Sequence, residues 1–466
     1  MKKILYIYII MCAGAMASCQ HHKTLYSDYA RPDSLGVPES LFRDTASLDG
    51  TLAADTANFG NLPWREVFTD PRLQALIERA LEANTDLRKA DLTIRQAEQG
   101  LKVARLAFLP QVAVSPQASV NSFDFGKAIA TYNIPVQASW QADIFGTLRN
   151  ARKQSEMTLY QTRAARQATQ TGIICAVANL YYTLEMLDEQ LATTRATADI
   201  WSKNVEAMEA MWQAGWTNAA AVSQTKANRL SILTGIPAME NSIRQVENSL
   251  CALMHETSHS IPRGVLADAH LPERLSAGVP LQLLQNRPDV RAAELQMAYA
   301  YYGVLGARGA FYPQLTLSGS AGWTNNAGVI VNPGKILLSA IGQLTQPLFA
   351  QGKLRANLEL AKIQQEAAQI DFEQKLLTVG NEVNNALSDY QAAQARIGGH
   401  QTLLKELEKA VETTEFLFRT DTSASYLETL SAQQSLLQAR LDLISAQFDK
   451  IQAAISLYQA LGGGNN

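Results

Sequence analysis

The sequence predicts a mainly α-helical protein with a small β part, built as two copies of one unit. Three observations carry that prediction: an internal repeat, two regions that alternate apolar and polar residues, and two very long tracts without proline.

The repeat sets the phase of everything else. Arg105-Leu106-Ala107-Phe108-Leu109-Pro110-Gln111 returns as Arg308-Gly309-Ala310-Phe311-Tyr312-Pro313-Gln314. At the same offset Asp86-Leu87-Arg88-Lys89-Ala90-Asp91 returns as Asp289-Val290-Arg291-Ala292-Ala293-Glu294. Between these blocks Leu87, Ala90, Ile94, Ala97, Leu101, Ala104 and Phe108 step alternately by three and four. Val290, Ala293, Met297, Ala300, Val304, Ala307 and Phe311 do the same in the same phase, which is a helical seam. Asp70-Pro71 and Arg287-Pro288-Asp289 read as helix starts, with Asp70 as N-cap, because Pro suits the first turn and Asp its positive end.

After each Pro-Gln the period drops to two. Val112, Val114, Pro116, Ala118 and Val120 alternate with polar or small residues, and Tyr132, Ile134, Val136, Ala138, Trp140 and Ala142 do likewise. In the second copy Leu315, Leu317, Gly319, Ala321 and Trp323 repeat the pattern. The fourth stretch, Ile336 to Leu348, alternates poorly, with Leu337 and Ile341 on the nominally polar face. Each copy thus predicts a hairpin of two strands of about ten residues, apolar on one face.

Long helices are predicted to follow each hairpin. No proline occurs from Val136 to Ile236 or from Leu348 to the C-terminus. Ile173, Val177, Leu180, Leu184, Leu187 and Leu191 mark a heptad seam, and Leu427 to Tyr458 carries another. Both tracts break once, at Ala214-Gly215-Trp216-Thr217-Asn218 and at Thr420-Asp421-Thr422-Ser423-Ala424, where a helix can reverse. Thr147 to Met211 would make a helix roughly 100 Å long, about three times the thickness of a bilayer core. Pro237 falls within the returning helix and is expected to kink it.

The N-terminus reads as a targeting signal. Lys2-Lys3 precede the apolar run Ile4 to Ala17, which ends in Met16-Ala17-Ser18-Cys19. That run resembles a bacterial lipobox, with Cys19 as the lipid attachment site, and Gln20 after it is compatible with the outer membrane. The expected organisation is therefore a signal peptide over 1–18 and a lipid-anchored segment over 19–62. Repeat one follows over 63–265, a linker over 266–280 and repeat two over 281–464. Cys175 and Cys251 lie in helical pattern and read as buried free thiols rather than a bridge.

Charge and hydropathy exclude two classes. The 466 residues carry 40 basic and 43 acidic side chains, a net charge of -3, without the basic block that nucleic acid requires. Mean hydropathy is -0.10, and beyond the N-terminus no apolar run approaches the roughly 18–20 residues of a spanning helix. Strands of this length with one apolar face fit a membrane β-barrel with a polar lumen. Four strands cannot close, and an open edge in lipid leaves backbone groups unpaired, so the chain is expected to oligomerise. Two copies would give eight strands and a filled interior; three would give twelve and a water-filled one.

Leu281-Gln282-Leu283-Leu284-Gln285-Asn286-Arg287-Pro288-Asp289-Val290-Arg291-Ala292-Ala293-Glu294 closely resembles the signature segment of TolC-like outer-membrane factors. Glu247-Asn248-Ser249-Leu250, Ile261-Pro262-Arg263-Gly264 and Tyr426-Leu427-Glu428-Thr429-Leu430 are similar to the lipoprotein branch of that family. The resemblance runs from Trp64 to Gly462. It implies a homotrimer with a twelve-strand outer-membrane barrel continued by a long periplasmic α-helical barrel. It also implies an exit duct that works with a periplasmic adaptor and an inner-membrane transporter of the resistance-nodulation-division class, without a cofactor. The alternatives are the exit duct of a type I protein secretion system and a non-channel envelope lipoprotein. By the same resemblance Glu428 stands where the family often carries an acid facing the pore, making Glu428 and Asp421 the candidate periplasmic gate. Gly215 and Asp421 are the expected tips of the two helical turns. Ser431 stands where a second acid is often found, and Asp421 replaces the usual turn Gly.

One competing chemical motif is present. His255-Glu256-Thr257-Ser258-His259 matches H-E-x-x-H, whose zinc chemistry needs both His on one helical face and Glu as base. Pro262 follows closely, so the helix is expected to be ending there. The later His270 and His400 form no third-ligand pattern, and the motif is expected to be incidental.

Overall fold

The computed structural model describes residues 25–32, 59–122, 124, 126–269, 287–327, 330–420 and 426–464. Three short helices lead in: α1 (Trp64–Val67), α2 (Pro71–Ala83) and α3 (Thr85–Leu106). Strands β1 (Gln111–Val114), β2 (Gln117–Asn121) and β3 (Ile129–Ala142) follow, then α4 (Thr147–Gln213) and α5 (Ala219–Leu253). The second copy supplies α6 (Pro288–Gly309), β4 (Gln314–Ala327), β5 (Ile330–Thr345), α7 (Lys353–Thr420) and α8 (Tyr426–Ala460). The mainly helical fold and the two-copy order are as the sequence predicts. The long helices are 67 and 68 residues, and each returning helix is 35.

Helix starts follow local chemistry. The Asp70 carboxylate accepts from the Arg72 N–H at 2.8 Å with Pro71 in the first turn, and Asn218 caps α5 through the Ala221 N–H at 2.9 Å. Pro288 opens α6 with Asp289 in its first turn. Pro237 lies within α5, which continues through it as one helix.

The sheet corrects two expectations. The first strand of the first hairpin is interrupted, as β1 and β2, at Ser115-Pro116. Pro116 has no N–H to give the ladder, whereas Ser115 still donates to the Pro135 carbonyl at 3.2 Å. The remaining strands, at 14, 14 and 16 residues, are longer than the ten expected. Order across the sheet is β1 and β2 beside β3, then β4, then β5, all antiparallel. The two copies meet at β3 and β4, where Gly322 faces Pro135; a Cβ there would lie 2.3 Å from the Ile134 carbonyl oxygen.

The chain divides into two compact units, each drawing on both copies. One comprises Met1–Gly36, Leu92–Ala164 and Arg291–Lys375 and holds the sheet. In it, residues 25–32 are tied down by side chains: the Tyr26 hydroxyl donates to the Ile144 carbonyl at 2.6 Å, and Arg31 donates to Glu294 at 2.8 Å. The other unit, Val37–Asp91, Ala165–Val290 and Leu376–Asn466, holds the main apolar core. There Phe59, Phe68, Leu73, Ile77, Tyr181, Leu250, Val383 and Tyr458 are buried in one cluster. Cys175 and Cys251 are both buried and free, and burial pushes the Cys175 thiol up to about 12.

Candidate functional site

Register makes the sheet two-faced. Val112 pairs with Ala138, Val114 with Val136, and these continue onto Gly319 and Ala321 of β4 and Ala340 and Leu338 of β5. Residues directly opposite share a face, so one side is a continuous apolar row that is exposed in the single chain. The other side carries Gln137, Ser139, Ser318, Ser320 and Ser339 in register. Hydroxyl pairs cross it: Ser119 with Thr131 at 2.8 Å, and Ser320 with Ser339 at 2.6 Å. A hollow of about 390 Å³ lies on this polar side, lined among others by Gln111, Gln137, Ser139, Ser320 and Ile341. The register sets Leu337 opposite Gly322 and Ile341 opposite Ser318, so both apolar residues of β5 do fall in the polar row. Lys335 is the one charged residue in the five strands.

The far end of α4 is a tight reversal. Gly215 adopts φ +80°, which a side chain would resist, and the Trp216 N–H returns to the Met211 carbonyl at 2.9 Å. Trp212 and Trp216 project from this turn into solvent. The other reversal, with Asp421, lies outside the described residues, as does Cys19. Glu428 is in the first turn of α8 and is exposed, next to buried Thr429 and Leu430. Beyond it Gln433 ties three helices, accepting from Asn204 of α4 at 2.7 Å and donating to Glu415 of α7 at 2.9 Å.

A second polar cluster escaped the sequence reading. Arg263 forks onto Asp188 at 2.5 and 3.0 Å and donates to Glu247 at 2.6 Å. Those bonds to the carboxylates raise its pKa further still. The next residue, Gly264, donates its N–H to the Tyr181 hydroxyl at 3.0 Å and to Glu185 at 3.1 Å. Tyr181 in turn donates to Asp70 at 2.5 Å. Glu185 is buried, with one carboxylate oxygen lacking a hydrogen-bond partner. Burial pushes its carboxyl up to about 7; the Tyr181 bond opposes that rise and the Asp70 charge adds to it. The only advance signal was Ile261-Pro262-Arg263-Gly264 itself, since its partners on α4, Asp188, Glu185 and Tyr181, lie 75 to 83 residues away in the chain.

The H-E-x-x-H motif has no helix to sit on. α5 ends at Leu253, His255 has φ 56°, and the Glu256 N–H closes the helix end onto the Cys251 carbonyl at 2.9 Å. Glu256 is ion-paired with Arg79, and His259 Nδ1 lies 2.9 Å from the Thr257 carbonyl oxygen. The geometry a zinc hydrolase needs is not built. No group of metal-ligating side chains occurs among the described residues.

A two-faced sheet of four rows, joined to helical hairpins of this length, is the arrangement that comparison with known proteins recognises. The profile described as outer membrane efflux protein matches residues 76–254 and 279–463, one stretch in each copy. The chain belongs to the outer membrane efflux protein family. Within it, the probable outer membrane lipoprotein SilC of Salmonella typhimurium is 27% identical over 446 residues, 95% of each chain. The cation efflux system protein CusC of Escherichia coli K12 is 28% identical over 458 residues, 97% of this chain and 98% of that one. The solved open-state MtrE outer membrane channel of Neisseria gonorrhoeae superposes with a TM-score of 0.84 at 26% identity, covering 94% of this chain and 98% of that one. As a member of this family the chain is an outer-membrane efflux channel protein with the TolC-like fold.

Proposed function

We propose that three copies of the chain close a twelve-strand barrel in the outer membrane, the apolar row toward lipid and the hydroxyl and amide row toward the lumen. The observation that carries this reading is the sheet: its edges at β1–β2 and β5 are open, and hydrocarbon tolerates no unpaired strand edge. The helical hairpins of the two repeats, 63–265 and 281–464, extend the duct into the periplasm. A periplasmic adaptor and an inner-membrane transporter of the resistance-nodulation-division class deliver cargo and supply the energy. Cys19 carries the lipid anchor, the Gly215 and Asp421 turns surround the lower mouth, and Glu428 lies at the gate. CusC is named for cation efflux, but nothing in the strands favours a cation: their polar side is uncharged apart from Lys335, so cargo is chosen by the partners.

Purified protein reconstituted in planar bilayers should conduct ions in discrete steps. A coiled-coil spacer between envelope layers would give no conductance, and that result would sink the proposal.

A further inference from the structure

Each joint between the sheet and a helix carries an arginine at a place the repeat sets. Arg105 and Arg308 stand six residues before β1 and β4 begin at Gln111 and Gln314. Gly146 and Gly352 turn the chain after β3 and β5, at φ +73° and +77°, and Arg149 and Arg355 follow three residues on. Because the strands are antiparallel, all four joints lie at one end of the sheet. Strands about 4.8 Å apart set them in a band roughly 15 Å wide, in the order Arg105, Arg149, Arg308, Arg355.

The protein leaves these charges largely unanswered. Among the described residues Arg149, Arg308 and Arg355 make no ion pair, and Arg105 reaches only Glu156, at 4.0 Å. Arg105, Arg308 and Arg355 are exposed, while Arg149 lies over the Tyr26 ring, 5.2 Å from its centroid. No Asp or Glu occurs between Glu294 and Glu359, a stretch that holds β4, β5 and both arginines of the second copy. In the first copy Asp143 is close by, but it caps α4, accepting from the Leu148 and Arg149 N–H groups at 2.9 and 2.8 Å. Like charges this near to one another repel, and a bound anion offsets the repulsion.

Two observations say which anion. The band borders the apolar row of the sheet: Trp140, in line with Val136 and Ala138, donates its indole N–H to the Phe108 carbonyl at 2.9 Å, and the Arg152 guanidinium lies 5.8 Å from the Phe108 ring. Residues 25–32 also touch the band, through Tyr26 and through Asp28, 3.5 Å from Lys153. They begin six residues after Cys19, at most about 20 Å of chain. An acyl chain on Cys19 therefore brings the membrane surface to the arginines.

We infer that the band binds the phosphate groups of anionic phospholipids, such as phosphatidylglycerol, in the periplasmic leaflet. Guanidinium forks match phosphate oxygens and keep their charge throughout the physiological pH range. The site lies outside the duct but rests on the placement proposed above, since headgroups meet the joints only if the apolar row faces lipid. It makes the junction a collar that fixes how deep the barrel sits.

The test offers full-length protein, stripped of lipid in detergent, equal amounts of phosphatidylglycerol and phosphatidylcholine, and weighs the complexes by native mass spectrometry. Phosphatidylglycerol should be preferred by about fivefold for each arginine engaged. About 0.5 M salt should erase the preference. R149Q/R308Q/R355Q should lose most of it, whereas K203Q, which removes an exposed charge far along α4, should keep it. Equal retention of the two lipids by trimers that conduct in planar bilayers would overturn the headgroup site and leave the duct standing. A triple variant with the wild-type preference would do the same. Single chains without conductance would overturn both.

Discussion

Arg287 Nη1 donates to the carbonyl oxygen of Ala460 at 2.8 Å, tying the start of the second copy to the last turn of α8. The guanidinium also pairs with Asp289 and Glu382, both at 2.6 Å, and its side chain is only 9% exposed. Truncation removes a partner from two carboxylates and a carbonyl at once. R287M should cost roughly 2–4 kcal/mol. R287K, which keeps the charge but loses the planar fork, should fall between. Thermal unfolding followed by circular dichroism in detergent measures both, and a Met variant as stable as wild type would show the cluster to be neutral.

Glu185 gives the fold a pH dependence. Its carboxyl sits at about 7 in the folded chain, up from 4.5, because burial opposes the charge. A raised carboxyl contributes stability that is full below the unfolded value and is lost as pH rises through the folded one. The window therefore runs from about 4.5 to 7, and the loss at pH 8 is of order 1–3 kcal/mol. E185Q keeps the Gly264 bond without the charge and should flatten that slope. Midpoints taken between pH 5 and 8 decide it, and parallel curves for the two proteins would count against an ionising Glu185.

The helix periods and the two-copy order were legible because each is local or repeats. The interruption of the first strand was visible as Pro116, yet alternation counts Pro116 as an apolar position and is blind to its missing N–H. The Arg263–Asp188 and Gly264–Tyr181 contacts were not legible, since nothing in a heptad distinguishes Asp188 and Glu185 from surface acids. Only the packing of the Ile261–Gly264 segment against α4 turns them inward.

Neighbours in β3 should respond oppositely to charge. Val136 lies in the apolar row and Gln137 in the polar one. Arg at Val136 should cost about 2–4 kcal/mol if it lies near the midplane, while Arg at Gln137 should leave the assembly intact and shift ion selectivity toward anions. Trimer yield and reversal potential report the two effects, and equal destabilisation would invert the assignment of faces.

Glu428 is exposed in the first turn of α8, where three copies would ring one axis. A carboxylate ring draws cations and repels anions. Glu428→Gln should lower cation selectivity in single-channel recordings without disturbing assembly. Unchanged selectivity would remove Glu428 from the gate and leave the channel assignment in place.

Acylation of Cys19 is a question of mass. The mature N-terminus should be a lipid-modified cysteine, and Cys19→Ser should weaken assembly more than abolish it, because the strands themselves hold the barrel. An unmodified terminus at another residue would refute the anchor.

The uncharged character of the polar row has a kinetic consequence. Hydroxyls and amides exchange hydrogen bonds with a polar solute much as water does, so such a solute gains little by resting among them. In the trimer proposed above, dwell times of polar cargo would then be short. The same blandness denies a blocker its foothold. Trp212 and Trp216, which stand out from the Gly215 turn, offer an inhibitor broader apolar purchase than a row of hydroxyls does.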